Sequence, residues 1–256
     1  MKIAFFSDIH ANLPALDAFF RDIEQVRPDA LYCLGDLVGY NVWANEVVEA
    51  IRKRHIPTIM GNHEEALLLP LKEDNRSAKG ITARLLTTEN KNYLTNLPRH
   101  LKLVFETSGE RFTLLLVHGS PKAVNDYLVE DYPEDEIVEM MEAQDAQLVL
   151  CGHTHIPYHR TIQTGMDYTH VVNIGSVGKP KDGDPRLCYA LVTLDENLSK
   201  HNPNAIRVEF RRVNYDIDAA VSAIKESEFP NELADQLLQA KSLSNHHHNH
   251  DQYEKT

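Results

Sequence analysis

The sequence predicts a fold in which α-helices pack against β-sheets, with parallel strands early in the chain and antiparallel strands late. Two observations support this prediction. Strand-length runs that are apolar on successive residues recur up to residue 152, as is typical of strands covered on both faces. After residue 155 the runs are shorter and alternate between polar and apolar residues, as is typical of antiparallel strands.

The first part of the chain predicts a parallel sheet. Helical patterns at 14–26 and 44–54 separate its strands, and Pro14 suits the first turn of a helix. This β-α-β-α-β order indicates parallel strands joined by right-handed crossovers. The three predicted strands are KIAFFS at 2–7, ALYCLG at 30–35 and PTIMG at 57–61.

The remaining elements follow from the same patterns. Residues 62–96 read as helical, with a polar break around 72–80, and a turn at Ser108-Gly109 predicts a hairpin. Two amphipathic helices are expected at 216–226 and 230–241. Further strands are predicted at 112–119 and 147–152, and later in IPYHRTIQ, YTHVVNIG, RLCYALVTLD and AIRVEFRRVNY.

Charge and cysteine content limit the function classes. The chain has 38 acidic and 26 basic residues, and no cluster of Lys and Arg balances the formal charge of -12. This argues against long nucleic acid as the main partner, although bound divalent metals would reverse the sign locally and admit an anionic substrate. Three cysteines without close spacing indicate reduced thiols. We expect a cytoplasmic protein without a membrane span.

We expect one domain over residues 1–243, followed by a polar, histidine-rich tail at 244–256. The tail reads as a disordered terminus, with adventitious metal binding as the alternative. A metal sensor that uses this tail would be a different class of function, and we expect that deleting 245–256 would not abolish metal binding. The sequence leaves open whether the chain forms a homo-oligomer.

Polar residues follow five predicted strands directly, where each strand ends. Because the carboxyl ends of strands line the binding crevice of open α/β sheets, we expect these residues to converge. Their carboxylate, imidazole and amide groups, without thiolate, suit two divalent ions such as Mn, Fe, Zn or Ni. The residues are Asp8, His10, Asp36, Asn62, His63, His118, His153 and His155.

The ordered motifs D-x-H, G-D, G-N-H-E, H-G and G-H-T-H resemble the calcineurin-like metallophosphoesterases over residues 1–180. The segment NIGSVGKPKDGD at 173–184 resembles the small prokaryotic YfcE-like branch of that superfamily. The resemblance implies an α+β fold: a four-layer α/β/β/α sandwich of two mixed β-sheets flanked by helices, the metallo-dependent phosphatase fold.

The resemblance also implies roles for individual residues. One metal would be held by Asp8, His10, Asp36 and His155, and the other by Asp36, Asn62, His118 and His153. His63 would face the phosphate, stabilising charge or protonating the leaving oxygen. The family commonly has Asp after this histidine, where it orients the ring. Here Glu64 stands in that place and is expected to accept the same hydrogen bond.

Residues that would select the substrate are harder to identify. Tyr40, Asn41 and Trp43 either offer an aromatic face to a nucleobase or pack under the next helix. Tyr127 lies in an acidic segment that could form a lid. Asn173, Ser176 and Arg186 either reach the site rim or only build a loop between strands. As substrate-binding residues we select Tyr40, Asn41, Tyr127, Ser176 and Arg186.

The resemblance implies hydrolysis by a metal-bridging hydroxide of small phosphodiesters or nucleotide phosphoanhydrides, with dinucleoside polyphosphates among the candidates. One alternative is a protein serine/threonine phosphatase. Another, from a different class, is a non-catalytic scaffold like a retromer subunit of this fold. His63 argues against the scaffold, because that subunit departs from the family pattern at this position whereas here the histidine and all expected ligands stand.

Overall fold

The computed structural model describes residues 1–70, 76–107 and 110–241. Two β-sheets lie face to face, with helices on their outer sides. The first sheet has the strand order β2-β1-β8-β9 and the second has the order β3-β4-β5-β7-β6. The strands are β1 Lys2–Phe6, β2 Ala30–Cys33, β3 His100–Thr107, β4 Glu110–Val117, β5 Leu148–Cys151, β6 Tyr158–Thr164, β7 Asp167–Asn173, β8 Leu187–Leu194 and β9 Ile206–Val213.

Seven of the eight α-helices fall in predicted regions, and α6 at Glu134–Gln144 was not predicted. Asn12 caps the first helix by accepting a hydrogen bond from the backbone N–H of Ala15, and Pro14 lies in its first turn. The α-helices are α1 Leu13–Val26, α2 Ala44–Lys53, α3 Asn62–Glu65, α4 Ala78–Leu85, α5 Thr88–Thr95, α6 Glu134–Gln144, α7 Ile217–Lys225 and α8 Glu232–Gln239. Short 3₁₀ helices occur at Ala66–Leu68 and Pro203–Ala205.

Both sheets are mixed, as expected. In the first, β1 pairs with β2 in parallel and with β8 in antiparallel orientation, and β8 and β9 are antiparallel. In the second, β4, β5 and β7 run parallel, while β3 and β6 add antiparallel edges. The second sheet is parallel at its centre because long connections join β4 to β5 and β5 to β7, so the late strands are not uniformly antiparallel.

The core is divided into layers. The layer between the sheets buries residues of both, including Phe5, Leu114 and Val172. The outer face of the first sheet packs on α1 and α2 through residues such as Phe19 and Ile51. The outer face of the second sheet packs on α6. This is the four-layer α/β/β/α sandwich, and the expected fold class is confirmed.

One predicted strand is shorter than expected. In the segment 57–61 only Thr58 forms a bridge, with Cys33 at the end of β2. The chain then turns away, because the N–H of Met60 donates to the carbonyl of Pro98 and the N–H of Gly61 donates to the side chain of Glu64. This departure from the sheet begins the segment that carries Asn62 and His63.

Three predictions fall wholly or partly on undescribed residues: the Ser108-Gly109 turn, the polar break at 72–80 and the tail at 244–256. The strands on either side of the turn, β3 and β4, do form the predicted antiparallel pair. The assignment of 1–243 to one domain stays a prediction. Within the described ranges, no helix is long and apolar enough to cross a membrane.

Candidate metal centre

The backbone turns sharply at the strand ends that carry the predicted metal ligands. Asp8, His10, Asp36, His153 and His155 all have positive φ, between 49° and 64°. Non-glycine residues rarely adopt this left-handed conformation, which costs free energy and clusters at functional sites. The turn after β1 lets Asp8 and His10 approach the same point. Hydrogen bonds to the loop after β2 hold this conformation, because the N–H groups of Asp8 and His10 donate to the carbonyls of Gly35 and Asp36.

The first group of donors consists of Asp8, His10 and His155. Oδ1 of Asp8 lies 3.0 Å from Nε2 of His155 and 3.6 Å from Nε2 of His10. The two histidine Nε2 atoms are 3.1 Å apart. All three side chains are buried. Asp36 lies beside this group, with its Oδ2 3.7 Å from Nε2 of His10.

The second group consists of Asp36, His118 and His153, whose donor atoms lie within 4.8 Å of one another. Nε2 of His118 is 3.3 Å from Oδ2 of Asp36 and 3.1 Å from Oδ1 of Asn62. Asp36 therefore lies between the two groups. The structure thus brings the seven predicted ligands close together. A third group of donor atoms within 4.8 Å of one another consists of His10, Asp36 and His63.

The hydrogen bonds of the histidines make this donor set fit metal cations. Nδ1 donates to a backbone carbonyl in each of three rings: His10 to Val38, His118 to Leu34 and His155 to Lys179. A carbonyl only accepts, so Nδ1 carries the proton, and in the neutral ring Nε2 presents a lone pair to the centre.

The lone pairs of His10 and His155 therefore face each other at 3.1 Å. Two ligands of one cation with bonds of about 2.1 Å would stand roughly 3 to 3.4 Å apart. In addition, Oδ1 of Asp8 and Nε2 of His153 are buried and make no hydrogen bond within the described chain. A divalent cation would satisfy these atoms, so the residues fit the divalent metals that the family resemblance implies.

The ionisable groups of the centre influence one another strongly. Burial tends to raise the pKa of Asp36, but the charges of His118 and His63 lower it well below the ordinary value. Burial tends to lower the pKa of His118, but Asp36 and Asp8 raise it to about 10. The carboxylate is thus ionised at neutral pH, and a cation bound at Nε2 of His118 would take the place of the ring proton.

Glu64 makes different contacts from those expected. Its carboxylate is fully buried and accepts hydrogen bonds from the backbone N–H groups of Asp36, Leu37 and Gly61, at 2.8 to 2.9 Å. Among the described contacts, none is a hydrogen bond from the His63 ring. Glu64 points under the Asp36 turn because it lies one residue along a helix from His63, on a different face. The prediction that it orients His63 is therefore corrected: it holds the turn that carries Asp36.

His63 is half-buried at the side of the centre. Its ring packs against those of Tyr40 and His10, with centroids 4.7 and 4.8 Å away, and burial lowers its pKa to about 3. Gly39 leaves room for this ring. A Cβ atom at Gly39 would lie 2.2 Å from Nδ1 of His63, and φ of Gly39 is +98°. Packing on Gly39 and Tyr40, rather than Glu64, therefore positions the ring.

Two of the five predicted substrate-binding residues border the centre. Tyr40 contacts the ring of His10 as well as that of His63. Tyr127 is 37% exposed, and its ring centroid lies 4.3 Å from that of His153. Both tyrosines could contact a substrate, because each combines an aromatic surface with proximity to candidate ligands.

The other three predicted substrate-binding residues are placed differently. Asn41 is buried, and its Nδ2 donates to the carbonyl of His10. Ser176 is buried, and its Oγ donates to the carbonyl of Asp8. Both support the backbone of metal ligands instead of reaching the rim. Arg186 is exposed and paired with Asp184 in its own turn. Trp43 packs beside α7 and α8, which corresponds to the packing alternative.

Two lysines near the centre were not among the predicted site residues. Lys179 is buried, and burial together with the charge of Lys181 lowers its pKa to about 7. Burial lowers the pKa values of His153 and His155, and the charge of Lys181 adds to both shifts. Their only signal in the sequence is their position in GKPKDG, inside the segment that resembles the YfcE-like branch.

Comparisons with known proteins identify the family of the chain. Residues 1–197 match the family model for the calcineurin-like phosphoesterase superfamily domain. Protein MJ0912 of Methanocaldococcus jannaschii is 31% identical over 254 residues, which cover 92% of this chain and 97% of that protein.

Two solved structures are also similar. The crystal structure of a metallophosphoesterase from Sphaerobacter thermophilus has 31% identity and a TM-score of 0.73, and the match covers 94% of this chain and 99% of that one. PH1004 from Pyrococcus horikoshii OT3 has 23% identity, a TM-score of 0.75 and the same coverage, which supports the fold. These relatives are bacterial and archaeal, in agreement with the prokaryotic branch that the sequence resembles. The chain therefore belongs to the calcineurin-like phosphoesterase superfamily and is a metal-dependent phosphoesterase.

Proposed function

We propose that this phosphoesterase hydrolyses small phosphodiesters or nucleotide phosphoanhydrides, dinucleoside polyphosphates among them, at a centre of two divalent cations. The observation that carries the proposal is the pair of donor groups that meet at Asp36. Each group combines an ionised carboxylate with imidazole nitrogens. In His10, His118 and His155 the hydrogen bond from Nδ1 to a backbone carbonyl points Nε2 towards the centre.

Each residue has a distinct role in the proposed reaction. One cation would be held by Asp8, His10, Asp36 and His155. The other would be held by Asp36, Asn62, His118 and His153. When bound, such a pair of cations lowers the pKa of water and neutralises charge on a phosphoryl group. Manganese is a suitable test metal, since oxygen and imidazole donors accept several divalent ions.

His63 would act on the leaving group. Its ring lies beside His10 but takes no part in the two proposed ligand sets, so its N–H is available to a substrate oxygen. Burial keeps this ring neutral, and its N–H would donate a hydrogen bond to the oxygen on which negative charge develops.

The test compares Asp36→Asn and His63→Ala in manganese-loaded protein, with an aryl phosphodiester as substrate. Asp36→Asn should lower both metal content and turnover, because the residue shared by the two groups loses its charge. His63→Ala should keep the metals and lose turnover by at least about 100-fold, the loss expected when one hydrogen-bond donor to developing negative charge is removed. Exposed His100 on β3 provides the control, and His100→Gln should change neither.

Unchanged turnover in Asp36→Asn would overturn the dinuclear assignment, and metal loss in His63→Ala would overturn the role of His63. To identify the class of the natural substrate, turnover is then measured on a panel of aryl monoesters and diesters, cyclic nucleotides, dinucleoside polyphosphates and phosphopeptides. Turnover confined to phosphopeptides would replace the proposal with a protein phosphatase.

A further inference from the structure

Lys179 places its ε-amino group in a buried position beside the candidate metal centre. The residue is only 5% exposed, and its Nζ lies 4.0 Å from the centroid of the Tyr40 ring. Within the described chain it forms no ion pair with a carboxylate. Contact with one aromatic ring returns far less free energy than the removal of an ammonium group from water costs. The cation–π contact alone therefore does not account for a lysine at this position.

The backbone fixes Lys179 to the centre. Its carbonyl accepts the hydrogen bond from Nδ1 of His155, and its N–H donates to Oγ of Ser176, which itself donates to the carbonyl of Asp8. The Tyr40 ring under the ammonium group also contacts His63. Lys179 therefore lies on the same side of the centre as His63, which is the side of the leaving group in the proposed reaction.

Lys181 adds a second positive charge nearby. Its N–H approaches the carbonyl of His155 at 3.4 Å, and its side chain is half-buried. Since His155 is a candidate ligand, this contact of the main chain places Lys181 next to the centre. It too forms no ion pair with a carboxylate in the described part of the chain. Bound cations would repel both lysines, so an anion from outside is the natural counter-charge.

We propose that Lys179 and Lys181 bind a second phosphate of the substrate, next to the reacting one, so that the enzyme prefers phosphoanhydrides to simple phosphodiesters. This inference rests on the proposed function for the position of the reacting phosphate. Lysine suits this task because its ammonium group is a compact charge with three donors and is a common phosphate ligand.

The reaction on such a substrate balances without a further reactant. Water supplies an oxygen to the reacting phosphorus, and the bond from that phosphorus to the bridging oxygen breaks. The leaving phosphate keeps the bridging oxygen and its electron pair. One proton of the water passes to the leaving phosphate, and the other stays on the new hydroxyl. The two lysines neutralise the charge that the leaving phosphate gains.

The first test measures kinetics in manganese-loaded protein with diadenosine tetraphosphate and bis(4-nitrophenyl) phosphate. The variants are Lys179→Gln, Lys181→Gln and Lys181→Arg, with exposed Lys225→Gln as the matched control. Both glutamine variants should lose at least about tenfold in kcat/KM on the anhydride, mainly through KM, and less than about threefold on the diester. Lys181→Arg should recover most of the loss, and the control should match the wild type.

The second test measures binding by calorimetry, without turnover. Methylenediphosphonate, in which carbon replaces the bridging oxygen, should bind the manganese-loaded wild type at least tenfold more tightly than inorganic phosphate. The double variant Lys179→Gln/Lys181→Gln should lose that preference.

The outcomes separate this inference from the proposed function. A wild type that is active on the diester but has neither anhydride activity nor a diphosphonate preference overturns the inference and leaves the function standing. Equal losses on both substrates in the glutamine variants also overturn it, since the lysines would then only support the centre. A metal-loaded wild type without activity on either substrate overturns the proposed function itself.

Discussion

The buried side chain of Glu64 holds two segments of the candidate metal centre together through backbone hydrogen bonds. Its Oε2 accepts from the N–H groups of Asp36 and Gly61, and its Oε1 from that of Leu37. Burial and the charge of Asp36 raise the pKa of Glu64 to about 7, while these N–H donors oppose that shift. One carboxylate therefore ties the loop after β2 to the segment that carries Asn62 and His63.

Replacing Glu64 by Gln should destabilise the protein. The amide NH₂ group of the glutamine would then face at least one backbone N–H. Two donors would point at each other, and neither would have an acceptor in this buried position. We expect the free energy of unfolding to fall by about 1 to 3 kcal/mol, measured by denaturant titration. Glu65→Gln makes the same chemical change one residue later, in an exposed pair with Arg99, and should cost less than about 1 kcal/mol. Equal costs in the two variants would contradict this account.

At the scale of elements, the loop after β2 positions His63 by leaving it space. Gly39→Ala should push the ring aside, because the new Cβ would lie 2.2 Å from Nδ1 of His63. We expect turnover on an aryl phosphodiester to fall at least about tenfold while metal content is kept, since small displacements of catalytic groups are costly.

Gly165, in the turn between β6 and β7, provides the matched control for this substitution. It also has positive φ, +63°, but nothing lies within 4 Å of a Cβ there. Gly165→Ala also places an alanine at positive φ, which costs about 1 kcal/mol, without touching the centre. Its turnover should stay within about twofold of the wild type. If both variants lose turnover equally, backbone strain and not the His63 ring explains the loss at Gly39.

The β6–β7 pair contains a group that should make stability depend on pH. His170 is 2% exposed, and its Nδ1 lies 3.1 Å from Nε2 of His159. Burial, together with the charge of His159, lowers the pKa of His170 to about 4. The unfolded chain has a pKa near 6.5, so between these values the unfolded state binds the proton and the folded state does not. Stability from this group is complete above about pH 6.5 and is lost as the pH falls towards 4.

Replacing His170 by Gln should remove this dependence. Between pH 7 and pH 5 the free energy of unfolding of the wild type should fall by about 2 kcal/mol more than that of the variant. Denaturant titrations of both proteins in the same buffers, with a chelator present so that metal loss does not contribute, measure the difference. Parallel losses in the two proteins would show that His170 is not protected from protonation.

The limits of sequence-based prediction are visible in the same elements. Six of the seven candidate ligands were predictable because they follow apolar strands, whose carboxyl ends line a crevice in α/β folds. Asn62 is the exception, since the run before it forms a single bridge and no strand. The partners of Glu64 were not predictable, because Asp36 and Leu37 are 28 and 27 residues away and offer only backbone N–H groups. Buried Lys179 was missed for a related reason: a lysine in a glycine- and proline-rich loop is typical of an exposed turn.

At the scale of the whole molecule, the candidate metal centre lies where the two sheets meet. Asp8 and His10 follow β1, and Asp36 follows β2, so these ligands belong to the first sheet. His118 follows β4, and the remaining histidines follow β5, in the second sheet. Apart from this centre, the contact between the sheets is largely a layer of apolar side chains. Bound cations would add bonds between the sheets that exist only in the folded state.

Metal binding should therefore stabilise the entire sandwich. At a manganese concentration about 100 times the dissociation constant, binding of one cation to the folded state alone adds about 2.7 kcal/mol to the free energy of unfolding. For a chain of this size, that raises the midpoint of thermal unfolding by roughly 5 to 10 °C. Scanning calorimetry with and without manganese measures the shift, and a chelator should reverse it. Asp36→Asn should lose most of the shift and His100→Gln should retain it. A full shift in Asp36→Asn would mean that the stabilising metal binds elsewhere, because Asp36 is the carboxylate that the two donor groups share.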